Sequence, residues 1–283
     1  MAIKTYKPIT PGTRQKTTLP YRELLTKNEP YKPLVKGYKR AVGRNSFGRI
    51  TMRHKGGGHK RLYRAVDFVF DKKNIPARIT SIEYDPNRTA FIGLAVYADG
   101  EKRYIVLPQS VKVGDQFIVS ENAPIAPGNR LALKNIPVGT FVFNVELKPS
   151  GGAKLIRSAG SFAVVQGQTD DYTLLKMSSG EVRNIPNLAY ASVGQISNEE
   201  HRLVVIGKAG RTRHMGIRPT VRGTAMAAVD HPYGGGEGRQ PRGTRRPKTK
   251  WGKITGGRKT RKKKKYSRHL IIARRKVGKA GTV

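Results

Sequence analysis

Several residue types and patterns are missing from this sequence, and each absence excludes a class of protein. There is no cysteine, which excludes disulfide bonds, thiolate zinc sites, iron–sulfur clusters and thiol catalysis. No apolar run approaches the roughly 18 residues of a membrane span, and residues 1–8 lack the apolar core of a secretory signal. Acidic residues are scarce, with 18 Asp and Glu against 56 Lys and Arg. We therefore expect no membrane partner, and a polyanion that neutralises the positive charge.

The basic excess lies at the two ends of the chain. Residues 1–64 hold 17 basic and 2 acidic side chains, residues 65–200 hold 14 of each, and residues 201–283 hold 25 and 2. The net charge of +38 opposes compaction unless a polyanion is bound, and nucleic acid is the partner that this favours. We expect the neutral middle to fold by itself and the flanks to become ordered against RNA.

The middle of the chain predicts a mainly β fold made of two small barrels. Short candidate strands with turn signals between them cover residues 62–70, 77–84, 91–97, 103–107 and 116–119, and then 130–133, 141–147, 162–166, 172–177 and 182–185. The first set fits an oligonucleotide-binding-type barrel, and the second set is typical of an SH3-like barrel.

Four segments follow from this pattern. They are a basic N-terminal extension (1–60), the oligonucleotide-binding-type barrel (61–123), the SH3-like barrel (124–200) and a Gly/Arg/Lys-rich C-terminal extension that reaches into RNA (201–283). Both extensions are irregular, because frequent prolines in the first oppose long helices and 14 glycines in the second favour an extended chain. Six aromatic residues lie among the basic residues of the first flank, where they suit either base stacking or packing onto the barrels: Tyr6, Tyr21, Tyr31, Tyr38, Phe47 and Tyr63.

Each of three basic motifs suggests a functional site that we do not expect it to form. His54 and His59 offer two metal ligands, but no cysteine or nearby carboxylate completes a site. Residues 252–260 differ from a phosphate-binding loop because Arg258 separates Gly257 from Lys259. Residues 262–265 are four lysines, which are typical of a nuclear-localisation signal or, as we prefer, of a segment that contacts RNA.

The densest polar cluster is the segment 230–238, DHPYGGGEG. Asp230 precedes His231, and a carboxylate beside an imidazole can orient a general base. No serine or cysteine nucleophile lies in the segment, so a hydrolase triad is unsupported. The alternative is that Asp230 and Glu237 bind backbone amides or hydrated Mg²⁺ while His231 packs on RNA.

Long motifs in both flanks resemble one known family. Residues 207–211 (GKAGR), 215–223 (MGIRPTVRG) and 229–239 (VDHPYGGGEGR), together with 54–61 (HKGGGHKR), 259–262 (KTRK) and 274–275 (RR), resemble ribosomal large-subunit protein two of the bacterial type. This chain departs from the family pattern at Ala227-Ala228, at His214-Met215, and at Tyr233, where the family commonly has a second histidine.

The resemblance implies both barrels and extensions buried in large-subunit rRNA. It further implies contact with small-subunit rRNA across the subunit interface, indirect contact with tRNA, contact with other ribosomal proteins, and a place in cytoplasmic ribosomes. The implied function is structural: a primary rRNA-binding protein that supports subunit association, tRNA binding and peptide-bond formation by organising rRNA near the peptidyl-transferase centre. The family histidine proposed as catalytic corresponds to His231.

We accordingly predict an rRNA-binding protein that is not itself an enzyme. The alternatives are direct participation of His231 in peptidyl transfer and a general nucleic-acid chaperone. No metal site and no cofactor are expected beyond Mg²⁺ associated with the rRNA. We assign rRNA binding to Arg53, His54, Lys55, Gly56, Gly57, His59, Lys60, Arg61, Lys208, Arg211, Arg213, Arg218, Arg222, His231, Arg239, Arg242, Arg245, Arg246, Lys259, Arg261 and Lys262.

Overall fold

The fold is taken from a computed structural model, which describes residues 3–37, 39–238, 241–255, 261–262 and 264–275. It is mainly β, which confirms the predicted fold class, and it divides into two compact units. The first unit consists of Met1–Lys39, Lys60–Lys208 and His269–Arg275; the second consists of Arg40–His59, Ala209–Arg268 and Lys276–Val283. Each predicted extension therefore contributes to both units, and the division into four segments stays a prediction.

The first unit begins with short paired strands. β1 (Lys4–Thr5) pairs with β2 (Thr17–Thr18), and β3 (Val35–Gly37) pairs with β4 (Leu62–Arg64), each in antiparallel register. A single helical turn, α1 (Tyr21–Leu24), lies between them. The extended segment predicted over residues 62–70 forms a regular strand only at β4, and beyond it Asp67 Oδ1 accepts hydrogen bonds from the backbone N–H groups of the residues two and three positions later, which bends the chain.

The first barrel contains a four-stranded antiparallel sheet. Its strands are β5 (Ala77–Glu83), β6 (Ile92–Tyr97), β7 (Lys102–Val106) and β8 (Gln116–Phe117), in the order β7–β6–β5–β8. Along β5, buried and exposed side chains alternate, as expected for a sheet with one apolar face. The buried side chains of Ile79, Tyr97, Leu107 and Phe117 form the core on that face.

The second barrel contains a seven-stranded sheet in the order β17–β15–β14–β13–β10–β16–β9. Its strands, with the separate pair β11 and β12, are β9 (Arg130–Ala132), β10 (Phe141–Phe143), β11 (Val145–Glu146), β12 (Ala153–Leu155), β13 (Ala163–Gln168), β14 (Tyr172–Met177), β15 (Val182–Pro186), β16 (Tyr190–Val193) and β17 (Ile271–Ala273). The one strand predicted over residues 141–147 is two strands, because Asn144 has a φ of 48° and turns the chain from β10 into β11.

A buried ion pair lies beside both barrel cores. Arg130 Nη2 donates to Glu146 Oε1 at 2.8 Å, Arg130 Nη1 donates to the backbone carbonyl of Asn144 at 2.7 Å, and both charged side chains are almost fully buried. The Arg130 guanidinium also lies 4.4 Å from the ring centroid of Phe70, which belongs to the first barrel's core. Burial lowers the pKa of Arg130, and the neighbouring carboxylate of Glu146 opposes that shift.

The second unit is built differently. Its one α-helix among the described residues is α2 (Ala209–His214), and the residues around it are turns and isolated bridges. Short 3₁₀ turns occur in both units, at Lys32–Leu34, Leu133–Asn135, Glu199–Leu203, Gly223–Ala225 and Tyr266–Arg268. Backbone hydrogen bonds between segments distant in sequence hold the second unit together.

Candidate nucleic-acid interface

Two of the predicted motifs meet in the second unit. Residues 54–59 lie antiparallel to residues 214–218, with a bridge between Lys55 and Ile217. The backbone N–H of Gly56 donates to Gly216 O at 2.9 Å, and that of His59 donates to His214 O at 2.8 Å. Motifs from the two charged flanks therefore form one backbone-paired structure, which we call the basic ladder (residues 54–59 and 214–218).

Glycine is required where the strands of the basic ladder approach most closely. Gly58 has a φ of 64°, and a Cβ there would lie 2.7 Å from both Gly216 N and His214 O. Gly216 has a φ of 87°, and its Cβ would lie 2.6 Å from an Arg40 guanidinium nitrogen. Any larger residue would be strained at both positions and would push the segments apart.

Cationic side chains border the basic ladder. The last turn of α2 carries Arg211, Arg213 and His214, and cations at a helix C-terminus complement its dipole. Arg213 and Arg218 are exposed, as is Arg222, which follows the ladder. Arg40 Nη1 donates to Gly57 O at 2.6 Å. Arg40 was absent from the predicted set because it lies outside any motif, and its role is visible only in the folded chain.

The remaining predicted residues are divided between the units. Lys60, Arg61 and Lys208 belong to the first unit, where Arg61 Nη1 donates to Pro86 O at 2.7 Å. Arg242, Arg245 and Arg246 are exposed residues of the second unit. Arg239 and Lys259 lie outside the described residues.

A second group of cations lies near the end of the second unit. Arg261, Lys262, Lys264 and Lys265 line an open cleft of about 570 Å³. Arg261 Nη2 donates to the Ser267 hydroxyl at 2.7 Å and to the Ser267 backbone carbonyl at 3.2 Å, which fixes one wall of the cleft. A cleft lined by cations suits phosphate groups.

The loop around His231 is closed by its own hydrogen bonds. His231 Nδ1 accepts a hydrogen bond from the backbone N–H of Tyr233 at 3.1 Å, and the two rings lie 5.1 Å apart. The Tyr233 hydroxyl donates to Arg246 O at 3.2 Å and accepts from the backbone N–H of Lys248 at 2.5 Å. His231 also packs so closely on Gly223 that a Cβ there would lie 2.5 Å from the imidazole ring. The nitrogen that Asp230 would have to orient is thus occupied by a backbone donor.

Other kinds of site find no support in the described part of the chain. No three His, Asp or Glu side chains gather there to hold a metal ion. Across the same residues, every helix falls short of the length and hydropathy that crossing a bilayer requires.

The sequence matches two models of one protein family. Residues 31–120 match "Ribosomal Proteins L2, RNA binding N-terminal domain", and residues 126–252 match "Ribosomal Proteins L2, C-terminal domain". The chain belongs to the ribosomal protein L2 family. It is therefore a structural, rRNA-binding protein of the large ribosomal subunit, located in the ribosome with rRNA and other ribosomal proteins as its partners. This confirms the predicted family and the rRNA-binding role, while the residue-by-residue assignments stay predictions.

Proposed function

We propose that this member of the L2 family organises rRNA near the peptidyl-transferase centre of a cytoplasmic, bacterial-type ribosome. By holding rRNA in shape it supports subunit association, tRNA binding and peptide-bond formation, with small-subunit rRNA and tRNA as its further partners. The protein needs no cofactor for this, and Mg²⁺ acts there only as an ion of the rRNA. The phosphate contacts come from the basic ladder and from the cleft lined by Arg261, Lys262, Lys264 and Lys265, since both expose cations of a unit that holds few acidic side chains.

The observation that separates the proposal from its catalytic alternative is the hydrogen bond that His231 Nδ1 accepts from the backbone N–H of Tyr233. A neutral imidazole whose Nδ1 accepts a hydrogen bond carries its proton on Nε2. Because Nδ1 accepts from Tyr233 N–H, neither ring nitrogen offers a free lone pair to a reacting amine. A general base needs such a lone pair within hydrogen-bond reach of the proton that it removes. His231 therefore acts as a packing residue that shapes the loop, and we disfavour the alternative that it catalyses peptidyl transfer.

Large subunits reconstituted with His231→Ala protein test this proposal. General-base removal typically costs about 100- to 10,000-fold in rate, and we expect a loss well below that range in single-turnover peptidyl transfer by assembled subunits. A loss of thousands-fold with intact assembly would establish the catalytic alternative.

Tyr233→Phe is the matched variant, because it removes the hydroxyl contacts and leaves His231 in place. We expect it to weaken tRNA binding or subunit association about as much as His231→Ala does. Normal association and tRNA binding in both variants would contradict the shaping role of the loop.

A further inference from the structure

Two hairpins of the second unit share one sequence pattern. Residues 44–50 read RNSFGRI and residues 248–254 read KTKWGKI, so each has the order basic, two variable residues, aromatic, glycine, basic, isoleucine. Neither hairpin contains an acidic residue. We call them the Phe47 hairpin (residues 44–50) and the Trp251 hairpin (residues 248–254).

The shared pattern gives the same backbone structure. The end residues form an antiparallel bridge in both hairpins, Arg44 with Ile50 and Lys248 with Ile254. In each, the glycine N–H donates to the carbonyl three residues earlier, at 3.0 Å for Gly48 and 2.9 Å for Gly252. The φ angles of these glycines are 75° and 74°, which is the left-handed conformation that follows the turn in a three-residue hairpin loop.

This geometry places the aromatic ring at the tip of each hairpin. Phe47 is 85% exposed and Trp251 is 66% exposed. A single exposed aromatic residue is common in proteins, but two on matching hairpins of one basic unit need a shared cause. The cost of leaving these rings in water is removed when a flat apolar partner covers them.

Cations lie beside the Trp251 ring, and the Phe47 hairpin carries two arginines, Arg44 and Arg49. The Arg53 guanidinium lies 5.4 Å and the Lys250 ammonium 4.8 Å from the Trp251 ring centroid. In the Phe47 hairpin, Arg44 Nη1 donates to Gly48 O at 2.8 Å, which stiffens the tip beside the ring. Exposed aromatic rings with neighbouring cations are the arrangement by which proteins hold unpaired bases, since the ring stacks on the base and the cations contact its phosphates.

We propose that the Phe47 and Trp251 hairpins are two base-stacking platforms, each covering an unpaired nucleobase of the RNA. This inference rests on RNA binding by the family and is independent of the proposed role near the peptidyl-transferase centre. It assigns a binding role to Trp251 and to the hairpin geometry, neither of which the sequence motifs indicated.

Affinity for a full-length large-subunit rRNA transcript tests the inference, with Phe47→Leu and Trp251→Leu in the full chain. Loss of one stacked base costs about 1–3 kcal/mol, which is about 5- to 150-fold in affinity. We expect that loss for each variant, retention in Trp251→Phe, and an unchanged dependence on salt, because no phosphate contact is removed. Equal affinity of the leucine variants and the unmodified chain, or a loss accompanied by a smaller salt slope, would overturn the assignment.

Tyr266→Leu is the matched control, because Tyr266 is 78% exposed in the same unit but lies outside both hairpins. We expect it to bind as the unmodified chain does, whereas an equal loss would mean that any exposed ring of the unit has this effect. Trp251 is the sole tryptophan, so its fluorescence reports directly on its own hairpin. Binding of the transcript should protect it from acrylamide, and a fully paired RNA duplex should not; protection by both, or by neither, would contradict stacking on an unpaired base.

Discussion

The two units of this chain differ in how far their cations are paired with carboxylates. In the first unit, Arg103 pairs with Asp67, Asp71 and Glu101, and Lys72 pairs with Asp99 and Glu101, beside barrel cores of buried apolar side chains. The second unit has 26 Lys and Arg residues in its sequence and only two acidic ones, Asp230 and Glu237. Its cations greatly outnumber any partners that the unit itself can offer.

This difference separates two sources of order. Apolar burial and internal ion pairs stabilise the first unit, so it is expected to fold without a partner. Backbone hydrogen bonds and glycine contacts hold the second unit, and a bound polyanion relieves its self-repulsion. Stability should therefore respond to core changes in the first unit, and RNA affinity to changes in the second.

The largest expected effect comes from the first unit. Glu146→Leu leaves the buried guanidinium of Arg130 without its partner, and breaking such a pair costs about 3–5 kcal/mol of unfolding free energy. Urea unfolding of the protein measures this. The double variant Arg130→Met/Glu146→Leu should recover much of the loss, because no unpaired charge remains buried. A double variant less stable than Glu146→Leu alone would show that the charges themselves hold the barrels together.

The next largest effect is on the salt dependence of RNA binding by the second unit. Each lost phosphate contact lowers the magnitude of the slope of log K against log salt by about 0.7–0.9. Replacing Arg213, Arg218 and Arg222 together with glutamine should therefore lower it by about 2–3, as measured by rRNA filter binding over a salt series.

The matched control for that series is Lys134→Gln in the first unit, where Lys134 Nζ lies 3.9 Å from Glu121 Oε2. We expect the control to leave the slope unchanged. The contrast between the units would be contradicted if the slope of the control fell by about 0.7–0.9, the change expected for one phosphate contact. It would also be contradicted if the triple variant kept the slope of the unmodified chain.

A smaller effect is expected from the basic ladder. Gly58→Ala strains a left-handed residue by about 1–2 kcal/mol and collides with Gly216, so rRNA binding should weaken by about 5- to 30-fold. Gly210→Ala is its control, because Gly210 belongs to the same unit but lies outside the ladder, and nothing lies within 4 Å of a Cβ at that position. Equal affinities of the two variants would show that the ladder does not set RNA binding.

Local patterns predicted most strands of the barrels, and the misses have physical causes. Strand β14, which begins with an aromatic and a β-branched residue and is followed by the turn at Ser179-Gly180, was predicted to the residue, whereas β16 is buried along its whole length and shows no alternation. β17 was missed because it lies in a basic flank and pairs with β15, far away in sequence. An isolated three-residue strand has no local signal strong enough to reveal such a partner.

The candidate site was predictable in composition but not in arrangement. The motifs containing Lys55 and Ile217 were recognised separately, yet the backbone bridge between them is a long-range contact that no local pattern encodes. Sequence adjacency offers Asp230 as a partner for His231, whereas in the structure His231 Nδ1 accepts a hydrogen bond from the backbone N–H of Tyr233. Side chains adjacent in sequence need not face each other, and turn geometry decides which atoms meet.

The smallest expected effect is a pH dependence confined to the first unit. Hydrogen bonds from Arg103 lower the pKa of Asp71 and of Glu101, and Lys72 lowers the pKa of Asp99. Because the folded-state pKa values lie below the unfolded ones, this stabilisation is complete above the ordinary carboxyl pKa of about 4 and is lost as the pH falls through the lower, folded-state values.

Since the carboxylates of these pairs are exposed and screened, the loss should be slight and should shrink further in 1 M salt. Melting temperatures of the unmodified chain and Arg103→Gln between about pH 5 and pH 2.5 measure it, and the variant should show the shallower decline. If the melting temperatures of the two proteins declined in parallel, the ion pairs of Arg103 would not contribute to the stability of the first unit. The difference between the two units would then rest on the apolar cores and not on these ion pairs.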